Sequence, residues 1–161
     1  MKSVVVYGSR SGNTRRVAAT IAEVLRTRGQ VDLLAAETAP RGLPLGTDLL
    51  IVGGPTEGHG MTEPVEHYLE VLELSSVDGL SVAAFDTRLR WPKVLSGSAA
   101  EGIAKRLTTD GAELIVPPES FMVSRKPELE PGELPRATAW ATTIADAVVA
   151  KLTREPQPLP R

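Results

Sequence analysis

The strongest constraint on this chain is an alternation of two hydrophobic periods. Short, β-branched apolar runs repeat along it, and each is followed by a segment whose apolar residues recur at helical spacing. Residues 3–7 (SVVVY) form the first such run, closed by Gly8. The spacing of Val17, Ile21, Val24 and Leu25 predicts a helix over 14–28, with Gly29 as its stop. Further strands are expected at 31–35, 48–53 (DLLIVG), 80–85 and 112–116, the last resuming at 120–123 after Pro117–Pro118. Helices are expected at 62–74, 97–110 and 133–152. Ser98 and Glu101 have the spacing of a capping box at the start of the third helix. The segment 36–47, with two Pro and two Gly, reads as loop.

Strands that are apolar throughout are covered on both faces, and strands alternating with helices form a parallel sheet. The expected fold class is therefore α/β, a doubly wound sheet of five strands with helices on both faces. Right-handed crossovers put every strand-to-helix loop at one edge, where ligands of such sheets bind. The loops 8–14, 53–62 and 86–97 follow from that rule as the ones to carry function. One domain is expected over 1–152, with a Pro-rich, disordered tail over 153–161.

Composition removes several function classes. The chain has 161 residues and no Cys, so disulfides, thiolate metal sites and cysteine nucleophiles are excluded. Two His are too few for a His-rich metal centre. A net charge of -2 and a pI near 5.7 argue against a nucleic-acid partner, which selects for a basic face. No apolar run approaches the roughly 18 residues of a membrane span. The first apolar run is too short and unflanked for a signal peptide, so cytoplasm is the expected compartment. Arg outnumbers Lys 13 to 5, which is associated with a GC-rich bacterial source.

The first loop, Ser9-Arg10-Ser11-Gly12-Asn13-Thr14, sits between an apolar strand and a helix. Hydroxyls and a Gly at a helix start can cradle a phosphate, because the terminal N–H groups are free and the dipole favours an anion. The same turn also reads as an ordinary polar N-cap. It is neither a Walker loop nor a dinucleotide fingerprint, and Arg10 holds the place a nucleophile elbow gives to Ser. Arg15 and Arg16 oppose the helix dipole unless an anion lies nearby.

The run VVVYGSRSGNT resembles the signature of the flavodoxin family, an apolar strand followed by S/T-x-S/T-G-x-T. Gly53, Thr56 and Gly58 in GGPTEGHG are similar to that family's loop after the third strand, although Glu57 stands where an aromatic commonly stacks. Phe85-Asp86-Thr87 resembles the loop after the fourth strand; Leu89 stands near a usual Tyr position, which Trp91 could replace. The resemblance implies strand order 2-1-3-4-5 and FMN as cofactor. It implies a phosphate site at Ser9, Arg10, Ser11, Gly12, Asn13 and Thr14. The flavin ring would lie between Pro55, Thr56, Glu57, Gly58 and His59 on one side and Asp86, Thr87, Arg88, Leu89, Arg90 and Trp91 on the other. Arg88 and Arg90 would face the ring edge that gains negative charge on reduction; the alternative leaves them solvated. His67, among Glu63, Glu66 and Glu70, reads as a surface residue.

The function implied is electron transfer with a redox partner protein or a small-molecule substrate. A flavodoxin-type oxidoreductase similar to protoporphyrinogen oxidase is the same-fold alternative. A flavin-free domain binding another phosphate ligand or a protein is the alternative from a different class.

Overall fold

The computed structural model describes residues 1–154. Its elements alternate as the apolar pattern requires: β1 (Lys2–Tyr7), α1 (Asn13–Arg26), β2 (Gln30–Ala35), β3 (Leu49–Pro55), α2 (Glu63–Val71), β4 (Ser81–Leu89), α3 (Lys93–Ser96), α4 (Ala99–Thr109), β5 (Glu113–Leu114), β6 (Glu119–Val123) and α5 (Glu133–Arg154). The strands lie in the order β2-β1-β3-β4-β5, all parallel, with β6 also paired to β4. This is the expected 2-1-3-4-5 doubly wound sheet with one strand more.

The sixth strand has a covalent cause. Ser81 pairs with Glu113, whereas Phe85 pairs with Glu119, so two extra residues intervene on the edge strand. Pro117 and Pro118 fall in that gap. Proline has no N–H to give a ladder, so the fifth position of the sheet is built from two pieces around a bulge.

Pairing with β3 on one side and β6 on the other carries β4 through Leu89. Residues 86–89, expected in a loop, thus form the end of a strand, and the loop proper begins at Arg90. The expected helix over 97–110 begins at Ala99, after a short separate turn, α3; Ser98 accepts the Glu101 N–H as expected. The helix expected over 62–74 stops at Val71 and is followed by a 3₁₀ turn, Leu74–Ser76. At the end of the chain, α5 continues through Thr153 and Arg154, past the expected boundary. The rest of the expected tail, 155–161, lies outside the described residues.

Each face of the sheet has its own core. On one, Val4, Val6, Leu50, Val52 and Val82 meet Val65, Tyr68 and Leu69 of α2 and Ile103 and Leu107 of α4. On the other, Val5, Leu49, Ile51 and Phe85 meet Val17 and Ile21 of α1 and Ile144 and Val148 of α5. Phe85, Phe121 and Trp140 pack edge to face, with centroids 6.0–6.1 Å apart, and join α5 to β4 and β6.

Two contacts fix the edge on which the loops stand. The first is Gly53 of β3. A Cβ there would lie 2.2 Å from the Phe85 ring, so this position must be glycine for packing. The second is Glu133, at the start of α5. Its carboxylate accepts the Met122 N–H at 2.6 Å and is paired with Arg136 at 2.9 Å. Arg136 also donates to the Ser120 carbonyl and sits over the Phe121 ring, 5.0 Å from its centroid. Burial of Glu133 opposes ionisation, but the hydrogen bonds from Arg136 and Met122 and the Arg136 charge outweigh it, and its pKa lies below the usual carboxylate range.

Both contacts are open to test by unfolding. Gly53→Ala should cost about 1–3 kcal/mol in urea unfolding, because the Phe85 ring must move from its cluster. Unfolding of the variant at the wild-type midpoint would show that the ring gives way freely. Glu133→Gln should cost about 1–3 kcal/mol at pH 7. A carboxyl with a depressed folded pKa stabilises above its unfolded value, and that contribution disappears as pH falls through the folded one. The gap between variant and wild type should therefore shrink progressively as pH falls below about 4.3, the ordinary Glu value. A gap independent of pH between 7 and 3 would remove the charge from the explanation.

Candidate functional site

The carboxyl ends of β1, β3, β4 and β6 open into a cleft of about 510 Å³. It is lined by Ser11, by Pro55, Thr56 and Glu57, by Thr87, Arg88, Leu89 and Trp91, and by Val123, Ser124, Arg125 and Pro127.

The segment 8–14 forms the start of α1. Gly12 is the N-cap residue, with a left-handed φ of 89° and no side chain capping the helix. The first turn holds no carboxylate, and Asn13 and Thr14 are buried. Ser9 Oγ accepts the Gly12 N–H at 3.1 Å, which leaves the hydroxyl proton to donate elsewhere. Thr14 Oγ1 lies 2.8 Å from Thr87 Oγ1. One hydroxyl of that pair donates to the other, and the acceptor keeps a proton to give. The Asn13 amide is engaged within the protein. Its Nδ2 donates to the Pro127 carbonyl at 2.7 Å and to Ser11 Oγ at 3.1 Å. These bonds tie the β6–α5 loop to the start of α1.

The second loop is a tight hairpin. Glu57 and Gly60 exchange both main-chain hydrogen bonds, at 2.9 and 3.0 Å. Gly58 (φ 53°) and His59 (φ 72°) are both left-handed, the geometry of a type I′ turn. The Glu57 carboxylate meets Arg10 at 3.3 Å, linking this hairpin to the first loop. The Glu57 carbonyl is occupied by Gly60 N–H.

Asp86 lies behind the cleft wall. It is fully buried, and its Oδ2 accepts from Ser98 Oγ (2.7 Å), Thr56 Oγ1 (3.0 Å) and the Ala100 N–H (3.0 Å). Thr56 Oγ1 in turn accepts the Ala99 N–H at 2.8 Å. The carboxylate thus joins β4, the hairpin and the N-terminus of α4, where the helix dipole favours negative charge. Asp86 is walled off from the cleft and acts on it through Thr56.

The two arginines of the third segment part company. Arg88 donates to Ser120 Oγ (3.0 Å) and to the Trp91 carbonyl (2.7 Å), so it fixes the main chain that carries Trp91. Arg90 turns to the β6–α5 loop and forms a two-pronged pair with Glu130, at 2.7 and 3.1 Å. Glu130 holds it protonated above its ordinary range. Arg90 is therefore a bracket between segments, while Arg88 lines the cleft beside Leu89 and Trp91. Trp91 is half exposed at the mouth. His67 is exposed on α2.

The fourth segment, 124–130, is absent from the loops expected to carry function. A signal for it exists: β6 ends at the same edge as the other parallel strands, so the loop after it belongs with the other three.

The donor set fits a phosphate-bearing planar cofactor. An uncapped, carboxylate-free helix start supplies N–H groups, hydroxyl protons remain free on Ser9 and in the Thr14–Thr87 pair, and Gly12 has open space around it. The adjoining cleft has apolar walls in Pro55, Leu89, Trp91, Val123 and Pro127.

Comparison with known proteins agrees with this layout. Residues 5–87 match the flavodoxin family model. The fold is similar to that of a flavodoxin from the domain Archaea, 22% identical, with a TM-score of 0.74 over 92% of this chain and 99% of that one. It is similar to oxidised flavodoxin 1 from Bacillus cereus, 20% identical, with a TM-score of 0.76 over 91% and 98% of the two chains. It also matches part of the rubredoxin oxygen:oxidoreductase of Desulfovibrio gigas, 24% identical, with a TM-score of 0.75 over 94% of this chain and 37% of that one. Among the described residues no helix is long and apolar enough to cross a membrane. With the family model spanning more than half of its length, the chain belongs to the flavodoxin family.

Proposed function

We propose that this chain binds FMN in the carboxyl-edge cleft and passes electrons between it and a redox partner protein or a small-molecule substrate. The observation that carries the reading is the uncapped start of α1, which opens among hydroxyls into the apolar-walled cleft. The family membership supports the same cofactor. The flavin would supply the electron chemistry, and the chain its binding and orientation.

Ser9, Ser11 and the Thr14–Thr87 pair donate to the phosphate, together with the free N–H groups of the first turn of α1. Among the described residues Thr14 Oγ1 bonds only to Thr87, so a phosphate oxygen completes the bonding of the pair. Asn13 and Arg10 hold neighbouring segments in place around the cradle. Trp91, Leu89 and Pro55 offer apolar surface to the ring, and Arg88 fixes Trp91 through its carbonyl. Asp86 and Thr56 keep the hairpin wall from moving when the ring enters or leaves. No side chain is required as a nucleophile.

The test is titration of flavin-free protein with FMN and with riboflavin, followed by flavin fluorescence. FMN should bind at least about 100-fold more tightly, since a charge-assisted hydrogen bond contributes roughly 1.5–3 kcal/mol and riboflavin forms none here. Ser9→Ala and Ser11→Ala should each weaken FMN about tenfold or more and leave riboflavin unchanged. Equal affinities for the two flavins, or no binding of either, would overturn the reading.

A further inference from the structure

The charge of this chain is unevenly placed. The four segments that frame the cleft, residues 9–16, 56–60, 88–97 and 124–130, hold eight cations and three carboxylates. The rest of the chain holds ten cations and seventeen carboxylates. A protein with a net charge of -2 therefore presents a cationic mouth on an acidic body.

Local pairing does not cancel this excess. Arg10 and Arg90 are paired with Glu57 and Glu130, and Lys93 with Glu101. Arg15, Arg16, Arg125 and Lys126 are exposed and form no ion pair among the described residues. A bound phosphate would offset roughly two of the eight positive charges, and the mouth would still be cationic.

An apolar patch stands in one of these four segments, where Trp91 shares the cleft lining with Arg88 and Arg125. Trp91 is 48% exposed, Val94 88% and Leu95 61%, all within the single short stretch that contains α3. They are three of the six large apolar residues that the described chain leaves most exposed. Three such residues side by side need a reason that scattered surface apolar residues do not. Trp91 also lines the cleft, so the patch is continuous with the site. The strap from Arg88 to the Trp91 carbonyl and the Lys93–Glu101 pair hold the stretch in place.

We propose that the stretch 91–95 and the cations around it form the docking surface for an acidic electron-transfer protein, one whose own carboxylates ring a small apolar area. The inference rests on the FMN reading for its purpose, because a partner seated there covers the mouth of the cleft. The cationic rim steers the partner and sets its orientation, and the apolar centre gives the contact its lifetime. A basic partner meets repulsion on the same face.

The test compares two redox proteins of similar size and opposite charge, an acidic [2Fe–2S] ferredoxin and a basic cytochrome c. Their affinities for the FMN-loaded chain are measured by calorimetry. The ferredoxin should bind at least tenfold more tightly at about 20 mM salt, and the advantage should shrink towards about 300 mM as screening sets in. Val94→Asp and Lys126→Glu, at exposed positions outside the cleft lining, should each weaken ferredoxin binding several-fold and leave FMN affinity at the wild-type value. Equal or reversed preference, no binding of either protein, or a preference that both variants leave intact would overturn the docking surface. Failure of FMN to bind is read separately in the flavin titration, and the charge preference can then be measured on the flavin-free chain.

Discussion

The cleft depends on one buried carboxylate. Asp86 is closed off from solvent, with Oδ2 accepting from two side-chain hydroxyls and a helix N–H, while its Oδ1 has no partner among the described residues. No cation among those residues pairs with it. A carboxylate in that position is stabilised by directed donors and by the α4 dipole, and it holds those donors strictly in place. The three donors come from two parts of the wall. Ser98 and Ala100 start α4, and Thr56 begins the hairpin. Geometry at the cleft is thus set from behind, by a group that never enters it.

Most of the fold is legible in the sequence because it rests on local pattern. Val4-Val5-Val6 and Leu49–Val52 are apolar at every position, and the two core clusters show why: alternate residues feed opposite faces. Even the split edge strand is announced by Pro117–Pro118. What pattern does not show is partnership across long separations. Residues 86–89 read as loop because nothing in their own sequence reveals that Glu119–Val123 returns to pair with them. Gly53 matches a cofactor-loop motif, yet the atom it makes room for is in the Phe85 ring, 32 residues further on.

The candidate site divides the same way. The phosphate turn is readable because a helix start, its hydroxyls and its glycine are contiguous. Arg88 and Arg90 look like equivalent ring neighbours in the sequence, which carries their type and spacing only. Their partners decide otherwise: Ser120 and the Trp91 carbonyl draw Arg88 along the cleft wall, and Glu130 draws Arg90 to the next loop. Arg125 and Pro127 carry no motif of their own. Only the parallel pairing of β6 with β4 brings their loop to the carboxyl edge.

The hairpin at 57–60 shows how little of the cleft wall is free to move. Glu57 C=O is bound to Gly60 N–H. His59 C=O lies where a Cβ on Gly97 would be, 2.1 Å away, so Gly97 lets the two segments touch. Those two carbonyls are pinned, and the peptide between Gly58 and His59 is the one left in the turn. Rotating that peptide converts a type I′ turn into type II′, which requires glycine at the first central position and returns the second to negative φ. Gly58 satisfies the first condition, and His59, the one non-glycine residue with positive φ among those described, is relieved by the second. The hairpin is therefore pinned in its outline at Glu57 and His59, and the backbone cost of a left-handed non-glycine residue falls within the turn, away from the strands that present it.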